Sequence, residues 1–392
     1  MTLYPHQQQF LDNNPKGAIL SYETGTGKSH VARLWIRHPS RTAGPVIVCP
    51  KQIKSDWSPH ARTYTFEEFK KASANHDLPS KPTAIVVDEA DMMASPLFEA
   101  KKRSQRTEAL YNYIMENPQA DVLLLTATPV RSSPANMHTL LVLARLVPAT
   151  KECWLRYRDK YYALTNMPYL PRPAWLPKPG WQKMMQPLID KYCYTALMQD
   201  LVDLPPETHE VIKLKEPNYE ENEEWEPAKQ FAEDHRLEQC GKDKTITSLS
   251  RGYRKVVVVC RYRHQIDELQ KKLSRERETF VLDGRTGDVG KVVADAEAAS
   301  ECYLIAQAQV GAGFELPSFA VMIFASQSYG ARDYVQMKGR IKRINALKPL
   351  KYYYLLAGRC DRMVYNAVKQ GLDFIPSHYA RQATEEDETN RS

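Results

Sequence analysis

A glycine-rich run near the amino terminus could bind a phosphate chain. Its residues are Gly25, Thr26, Gly27, Lys28 and Ser29. Closely placed glycines let backbone N–H groups converge on a phosphate at the start of a helix, the lysine reaches the terminal phosphates, and the serine hydroxyl binds magnesium. The run lies between an apolar segment that ends at Leu20 and a helix-compatible one. This context favours a site for ATP and Mg2+ over a simple glycine turn, although Tyr22 stands where the strict phosphate-loop pattern has glycine.

Two carboxylates, Asp88 and Glu89, follow directly after the apolar run 84–87. The carboxyl ends of buried strands are where α/β sheets bind their ligands. A carboxylate at this place can hold the magnesium of an ATP complex, and the next one can orient or deprotonate the attacking water. An acidic cluster alone is more often a solvated helix start. Its position after a buried strand and behind a phosphate loop favours a catalytic role.

Short apolar runs between amphipathic segments must position these residues. A run that is too apolar to alternate between two faces predicts a strand buried on both sides of a parallel sheet. In the first third of the chain these runs cover residues 18–20, 46–48, 84–87 and 122–125. They resume at residues 256–259, 280–282, 303–305, 321–324 and 352–356. The sequence therefore predicts an α/β fold with two parallel-sheet lobes around a different middle.

The same pattern predicts the domain organisation. The regions are a first lobe over 1–150, a mainly helical insertion and linker over 151–250, a second lobe over 251–371 and a flexible tail over 372–392. The tail lacks apolar periodicity, as is typical of frayed termini.

The insertion combines aromatic rings with positive charge. Residues 151–191 contain eight basic residues and three acidic ones. The rings and charges interleave at Trp154, Arg156, Tyr157, Arg158, Tyr161, Trp175, Lys178 and Trp181. Such a pattern suits stacking on bases and contacts with phosphates. Equally, the rings could form a small core that closes the insertion.

The composition sets limits on the class of protein. The chain has 392 residues, with 54 Lys and Arg against 47 Asp and Glu, a mild excess of +7 that is compatible with a polyanionic partner. Its seven cysteines are scattered singly, without metal-ligand spacing, which fits a reducing cytoplasm, of a host if the chain is viral. No apolar stretch approaches the length of a membrane span, and the amino terminus has no signal-peptide pattern. We expect a cytoplasmic monomer without a membrane partner.

The two candidate sites resemble motifs I and II of the superfamily 2 helicases and translocases, and further motifs follow in that family's order over residues 4–370. In the first lobe the similar segments are Pro5-His6-Gln7 (the adenine-recognising glutamine motif), Val46 to Lys51 with Asp56-Trp57 (motif Ia) and Leu125 to Pro129 (motif III). In the second lobe they are Asp283 to Thr286, Gln309 to Leu316 (motif V) and Gln336 to Arg343 (motif VI). The resemblance implies two RecA-like lobes.

Motif VI carries the arginines of this family. The segment fits Gln-x-x-Gly-Arg-x-x-Arg, and two arginines three apart on a helix share a face. In the family that face neutralises charge on the transferring γ-phosphoryl group. The alternative is a solvated basic helix. The resemblance implies that hydrolysis requires closure of a cleft around ATP, because Lys28 and Asp88 lie in the first lobe and Arg340 in the second.

The resemblance assigns roles to individual residues. The catalytic residues are Lys28, Asp88, Glu89, Gln336, Arg340 and Arg343. The ATP-binding residues are Gln7, Gly25, Thr26, Gly27, Lys28, Ser29, Gly313 and Glu315, and the magnesium ligands are Ser29 and Asp88. The residues that contact nucleic acid or couple it to hydrolysis are Lys51, Thr63, Tyr64, Thr126, Thr128, Arg285 and Gln309.

The choice of polymer depends on the branch of the family. Residues 88–91 spell Asp-Glu-Ala-Asp, the name-giving motif of an RNA helicase family. Three other motifs resemble the Swi/Snf-like branch instead: motif Ia is Cys-Pro-Lys, motif III is Thr-Ala-Thr, and motif VI begins with Gln336. The chain departs from that branch at three positions, where Ala127 and Ala312 replace the usual glycines and Asp91 replaces a histidine. We expect DNA-stimulated ATP hydrolysis coupled to movement along, or remodelling of, duplex, branched or single-stranded DNA. The alternatives are an RNA helicase and a non-hydrolysing nucleic-acid clamp. The compact chain favours a minimal motor of viral or mobile-element origin.

Overall fold

The chain forms two compact units in a computed structural model, Met1–Val202 and Asp203–Ser392. The structure describes residues 3–23, 25–99, 103–130, 133–166, 173–197, 206–215, 237, 240–310, 314–342 and 348–371. The predicted tail over 372–392 therefore lies outside the described residues. None of the helices within these ranges combines the length and the apolar character needed to cross a bilayer.

The first unit is built around a parallel sheet. Its strands are β1 (Gly17–Tyr22), β2 (Val46–Cys49), β3 (Arg62–Thr65), β4 (Ala84–Asp88), β5 (Asp121–Thr126), β6 (Tyr162–Thr165), β7 (Ala174–Pro177) and β8 (Cys193–Ala196). Its helices are α1 (Pro5–Asn13), α2 (Lys28–Ile36), α3 (Lys54–Trp57), α4 (Phe66–Ala74), α5 (Gln105–Glu116), α6 (Pro134–Leu143), α7 (Lys151–Tyr161) and α8 (Trp181–Tyr192), with 3-10 helices at Lys51–Ile53 and Ala90–Met93.

Six of these strands form one sheet in the order β3-β2-β4-β5-β1-β8, and every pair is parallel. Strands β2 and β4 are buried along their whole length, as their apolar runs predict. The register sets Leu20 of β1 beside Leu125 of β5, and Val87 of β4 beside Leu124. The ends of β1, β4 and β5 therefore lie side by side, which is what the candidate site requires.

The second unit repeats this architecture. Its strands are β9 (Glu207–Leu214), β10 (Lys255–Cys260), β11 (Thr279–Leu282), β12 (Cys302–Gln307), β13 (Val321–Phe324) and β14 (Leu350–Ala357). Its helices are α9 (Lys242–Ser250), α10 (Arg263–Leu273), α11 (Val289–Ala298), α12 (Ala331–Lys338) and α13 (Gly358–Lys369), with a 3-10 helix at Ala308–Val310. All six strands are parallel, in the order β11-β12-β10-β13-β14-β9.

The predicted two-lobed, RecA-like α/β fold is confirmed in its two parallel sheets, since each predicted apolar run forms a strand. The region 151–250 is divided between the two units. It contributes α7, α8 and the antiparallel pair β6–β7, and it also supplies an edge strand to each sheet, β8 beside β1 and β9 beside β14. The sequence pattern does not reveal β9 because an edge strand keeps one side open, and most of its residues are exposed.

Each unit contains an ion pair that is largely shielded from solvent. In the first unit, Arg41 Nε donates to Asp121 Oδ2 at 2.8 Å, and the guanidinium lies over the ring of Trp35. In the second unit, Lys242 Nζ lies 2.5 Å from Asp361 Oδ2, and both side chains are buried. The second pair joins the start of α9 to α13. Because a buried charge is costly without its partner, these pairs are structural.

Candidate active site

The phosphate-loop residues connect β1 to α2. Gly25 and Gly27 have φ angles of +90° and +89°, a backbone conformation that favours glycine. A Cβ atom at Gly27 would lie 2.4 Å from Nε2 of Gln7, so this position requires glycine on two grounds. Gly27 also has no side chain with which to cap α2. The backbone N–H groups of the first turn can therefore face a phosphate, as the sequence predicts.

Gln7 holds this loop from the side of α1. Its side chain is buried, Nε2 donates to the carbonyl of Thr26 at 3.1 Å, and Oε1 accepts the backbone N–H of Tyr4 at 3.1 Å. The hydroxyl of Thr26 donates to the carbonyl of Glu23 at 2.7 Å. Both residues thus fix the shape of the loop, and the contact of Gln7 with adenine stays a prediction.

Tyr22 explains how the loop tolerates a residue other than glycine at this place. It is the last residue of β1 and its side chain is buried. Its hydroxyl donates to the carbonyl of His6 at 3.2 Å, and its ring packs edge-on against that of His6. The phosphate turn begins after Tyr22, so the tyrosine side chain joins β1 to α1 instead of entering the turn.

Lys28 and Ser29 open α2 and face the ends of β1 and β4. The Nζ atom of Lys28 donates to the carbonyl of Tyr22 at 2.7 Å and to that of Glu23 at 3.4 Å. Ser29 Oγ lies 3.5 Å from Asp88 Oδ2. The structure therefore brings together the loop lysine, the loop hydroxyl and the first carboxylate of the acidic pair.

Asp88 is the last residue of β4, and its carboxylate is buried with 3% exposure. Oδ2 accepts the indole N–H of Trp57 at 2.9 Å, and Oδ1 accepts the backbone N–H of Glu89 at 3.0 Å. Burial raises the pKa of Asp88 to about 6, the charge of Glu89 acts in the same direction, and the Trp57 hydrogen bond and Lys28 oppose the shift. The carboxylate is thus held by neighbours on both sides.

Glu89 follows in an unusual backbone conformation. Its φ of +54° and ψ of +49° lie in the left-handed region, which non-glycine residues seldom adopt. Such a conformation costs about 1–3 kcal/mol and is found mainly at functional sites. The turn sends the chain from the end of β4 into the 3-10 helix Ala90–Met93 and leaves the Glu89 side chain half-buried.

Thr126 links the acidic loop to the end of β5. Its hydroxyl donates to Asp91 Oδ1 at 3.0 Å and accepts the backbone N–H of Thr128 at 3.0 Å. Asp91 and Thr126 are both buried. The contact between these segments is what a coupling role for Thr126 and Thr128 needs, although the role itself stays a prediction.

The oxygen donors of this edge fit a magnesium ion. A hydroxyl and a carboxylate, from Ser29 and Asp88, face each other across 3.5 Å. Mg2+ prefers hard oxygen ligands and is commonly bound through one or two carboxylates together with substrate phosphates. The loop backbone and Lys28 lie beside this pair, at the place where a phosphate chain would meet the ion.

The predicted polymer-contact residues of the second unit lie at the ends of β11 and β12. Arg285 is paired with two carboxylates, with Nε 2.8 Å from Asp283 Oδ2 and Nη2 2.6 Å from Asp267 Oδ1. These bonds raise the pKa of Arg285 above its ordinary value. Gln309 is exposed, and its Oε1 accepts Nε2 of Gln307 at 3.2 Å. The guanidinium of Arg285 is thus oriented by its own unit.

Motif VI differs from its predicted form. Helix α12 ends at Lys338 with Gly339 at its carboxyl end, so Arg340 lies in the following turn and the prediction of a shared helix face is wrong for it. Glycine is a poor helix former, which favours the end of the helix at this point. The carbonyl of Arg340 accepts the backbone N–H of Leu316 at 2.9 Å, and this bond connects the turn to another segment of the chain. Nη1 of Arg340 donates to the carbonyl of Phe314 at 2.7 Å, and the side chain is buried.

Two other predicted residues of the second unit lie among the described residues. Gln336 is buried on α12, and Glu315 is exposed beside Phe314. Gly313 and Arg343 lie outside the described residues. Their predicted roles stay predictions.

The predicted polymer-contact residues of the first unit lie beside β2 and β3. Lys51 is exposed at the start of a 3-10 helix. Thr63 and Tyr64 are half-buried on β3. The hydroxyl of Thr63 donates to the carbonyl of Ala61 at 2.9 Å, and the ring of Tyr64 packs edge-on against Phe69. Among these three residues, Lys51 carries a positive charge, and its exposed side chain is accessible to a phosphate.

The aromatic residues of the insertion mostly form a small core. Trp154, Tyr157, Tyr161, Tyr162 and Trp181 lie on or beside α7 and α8, and burial raises the pKa of Tyr157 above its ordinary value. The buried imidazole of His138 packs edge-on against Trp154 and Tyr157. These contacts favour the core interpretation for the buried rings.

Trp175 differs from those rings. It lies on β7, retains 36% exposure, and has the guanidinium of Arg158 stacked 3.8 Å from its ring centroid. Leu164, directly opposite on β6, is also exposed. This pair keeps an accessible apolar surface next to positive charge.

Sequence reasoning missed the role of Trp57. The sequence places Trp57 in the segment that resembles motif Ia without a role of its own, whereas the structure buries its ring and directs its N–H to Asp88. The contact joins residues 31 positions apart, and nothing in the spacing of either motif signals it.

Comparison with known families finds a match in part of the chain. Residues 241–345 match the helicase conserved C-terminal domain. That range runs from the start of α9 through the turn that carries Arg340, and it includes four of the six described strands of the second unit, β10 to β13. The match confirms the resemblance to helicases for this part of the chain. No curated protein matches the chain in sequence.

Among solved structures, the chain is similar to the Sulfolobus solfataricus SWI2/SNF2 ATPase core in complex with dsDNA. The sequence identity is 12% and the TM-score is 0.42, with 96% of this chain and 93% of that chain covered. Similarity of this degree does not assign a substrate or partner to the chain.

Proposed function

We propose that the chain is an ATP-dependent DNA helicase or translocase of the Swi/Snf-like branch, in which DNA stimulates the hydrolysis of ATP. The observation that carries the proposal is the convergence of Ser29, Asp88 and the phosphate loop at one edge of the first sheet, with 3.5 Å between Ser29 Oγ and Asp88 Oδ2. The helicase C-terminal domain at residues 241–345 supports the same class for the second unit.

The chemistry begins with the phosphate loop. Lys28 exchanges its bonds to the carbonyls of Tyr22 and Glu23 for bonds to the terminal phosphates. Ser29 and Asp88 would hold Mg2+, which would neutralise charge on the phosphate oxygens. Both residues are pre-positioned within the first unit, so nucleotide binding requires little rearrangement of that edge.

Glu89 acts on the attacking water. Its carboxylate accepts a proton as the water oxygen bonds to the γ-phosphorus and the bond from that phosphorus to the bridging oxygen breaks, which gives ADP and inorganic phosphate. The left-handed backbone of Glu89 directs its side chain independently of Asp88, so the two carboxylates can serve different roles.

Arg340 and Arg343 stabilise the charge on the γ-phosphoryl group during turnover. For Arg340 this requires release of the Phe314 carbonyl, to which its Nη1 now donates. Hydrolysis would then be linked to a rearrangement of the Phe314–Arg340 contact. A ligand that favours the rearranged state, such as DNA, would stimulate turnover.

The polymer is assigned to DNA from motif resemblance, with Lys51 as the exposed contact of the first unit. Phosphate contacts of this kind position a nucleic acid without reading its sequence, so no sequence preference is expected. The cytoplasmic location, the monomeric state and the viral or mobile-element origin stay predictions from the sequence.

One experiment tests the proposal. Phosphate release from ATP is measured without polymer and with single-stranded DNA, duplex DNA, forked DNA and RNA, and the Glu89→Gln variant serves as the blank. Stimulation by DNA alone is the expected result. Stimulation by RNA alone would move the chain to the RNA helicases, and absence of turnover with every polymer would favour a non-hydrolysing clamp.

A further inference from the structure

The carboxylate of Asp88 depends on two donors of different kinds. Oδ1 accepts a backbone N–H from Glu89 at 3.0 Å, and Oδ2 accepts the indole N–H of Trp57 at 2.9 Å. The backbone bond fixes one oxygen but leaves the carboxylate plane free to turn about it. The indole bond to the other oxygen fixes that plane. Ser29 Oγ, at 3.5 Å from the same Oδ2, then faces a carboxylate of defined orientation.

The indole is itself held rigidly. Trp57 ends α3 with 1% exposure and belongs to the core cluster of the first unit. The guanidinium of Arg33 lies 5.3 Å from its ring centroid, and Arg33 Nη2 donates to the carbonyl of Asp56 at 3.2 Å. An indole offers a single N–H donor in a fixed direction. A ring buried and packed in this way gives Asp88 a donor of defined direction.

We propose that Trp57 is a positioning residue of the magnesium site, whose indole N–H holds the Asp88 carboxylate in the orientation that Asp88 and Ser29 need to bind Mg2+ together. This inference rests on the proposed function, since it assigns the ion to the same edge of the sheet. Trp57 does not touch the ion or the nucleotide. Its effect is on how strongly the ion is held, because groups that orient metal ligands contribute to metal affinity.

The first unit contains a matched control for Trp57. Trp35 is also buried with 1% exposure and belongs to the same core cluster. Its ring also lies beneath a guanidinium, that of Arg41, and its N–H donates to the carbonyl of Pro15 at 3.2 Å. The variants Trp57→Phe and Trp35→Phe remove the same atoms from the same core, but only the first removes a donor from Asp88.

The test measures binding of a fluorescent ADP analogue as the concentration of Mg2+ rises. For Trp57→Phe, we expect the Mg2+ concentration at half-saturation to rise about 10-fold, the lower end of the effect of such orienting groups. Turnover at saturating Mg2+ should change much less. Trp35→Phe should keep the wild-type half-saturation point even if its thermal stability falls as far. An unchanged half-saturation point in folded Trp57→Phe would overturn the proposal.

A second measurement uses the unaltered ring and remains decisive if Trp57→Phe fails to fold. The indole N–H resonances of the 15N-labelled chain are recorded with ADP as Mg2+ is added, and the Trp57 resonance is assigned by its shift in Asp88→Asn. We expect Mg2+ to move the Trp57 resonance and to leave that of Trp35 in place. A Trp57 resonance that ignores saturating Mg2+ would contradict the proposal.

These measurements distinguish failure of the proposed function from failure of the proposed role of Trp57. If the wild-type chain neither binds Mg2+ with ADP nor hydrolyses ATP, the proposed function and this inference both fall. If the wild type does both and Trp57→Phe matches it at every Mg2+ concentration, the proposed function stands and only the role of Trp57 is refuted.

Discussion

The described ATP-site residues predicted in the first unit lie together, whereas Arg285 and Arg340 of the second unit are each held by neighbours within that unit. Ser29 and Asp88 meet at the ends of α2 and β4, because β1 and β4 lie on either side of β5 in one sheet. In the second unit, Arg285 pairs with Asp267 and Asp283, and Arg340 donates to Phe314. The contrast supports an edge whose proposed magnesium ligands are already in place, while both arginines, like Lys28, would exchange partners before acting on a phosphate.

The Arg340→Ala variant tests the second half of this contrast and has the largest expected effect. We expect turnover to fall about 1,000-fold, as is typical for loss of an arginine that stabilises the transferring phosphoryl group. The affinity for ATP should change little, because the contact belongs to the transition state. Turnover is measured by phosphate release and affinity by titration with a fluorescent ATP analogue.

Arg275, an exposed arginine of the second unit, provides the control as Arg275→Ala. Thermal unfolding of both variants separates a loss of catalysis from a loss of fold, since Arg340 is buried and bonded to Phe314. Wild-type turnover in folded Arg340→Ala would remove Arg340 from the chemistry.

The buried ion pairs allow the stability of the two units to be compared. Asp361→Ala leaves the Lys242 ammonium buried without its carboxylate, which should lower the free energy of unfolding of the second unit by about 3–5 kcal/mol. Asp121→Ala should cost less, because Asp121 is 15% exposed and Arg41 also donates to Asn14 and to backbone carbonyls. Denaturant unfolding followed by circular dichroism measures both. Equal losses in the two variants would show that these local differences do not control stability.

Acidification should weaken the first unit through His138. Burial among Phe98, Trp154 and Tyr157 lowers the pKa of His138 to about 4. In the unfolded chain histidine titrates near its usual value of about 6.5, so the unfolded state binds the proton first as the pH falls. His138 therefore does not affect the free energy of unfolding above a pH of about 6.5. The free energy of unfolding falls as the pH drops from there to the folded-state pKa of about 4.

The size of this loss is at most about 3.5 kcal/mol, from about 1.4 kcal/mol for each of about 2.5 units of pKa difference. His138→Phe should remove that part of the pH dependence, while His264→Phe, at an exposed position of the second unit, should keep it. The measurement is the unfolding free energy of the three proteins at a series of pH values from neutral to acid. An identical pH dependence in His138→Phe and the wild type would contradict the assignment.

Much of this fold could be predicted because its central strands are buried on both faces. The runs in β2, β4 and β10 are apolar enough to identify strands without any other information. The edge strands β3 and β9 are partly exposed and carry no such run, so the pattern misses them. The division of the region 151–250 between the two units follows from β8 and β9, whose pairing partners lie far away in the sequence.

A residue of the candidate site could be predicted where one short segment of sequence shows both the residue type and its place in the fold. The phosphate loop and Asp88 are examples, because each directly follows a buried strand. The donor from Trp57 and the turn at Arg340 depend on contacts between distant segments, Trp57 with Asp88 and Arg340 with Phe314 and Leu316. Residue spacing contains no information on such contacts.

The most direct test of the central claim is phosphate release with duplex DNA by the wild type and by Glu89→Gln, with binding of a fluorescent ATP analogue measured on the same samples. We expect DNA to stimulate the wild type, and we expect Glu89→Gln to bind the analogue normally but to release phosphate about 100-fold or more slowly. Glu152→Gln, at an exposed position on α7, should behave as the wild type. Undiminished release by Glu89→Gln would contradict the claim that this edge of the first sheet hydrolyses ATP.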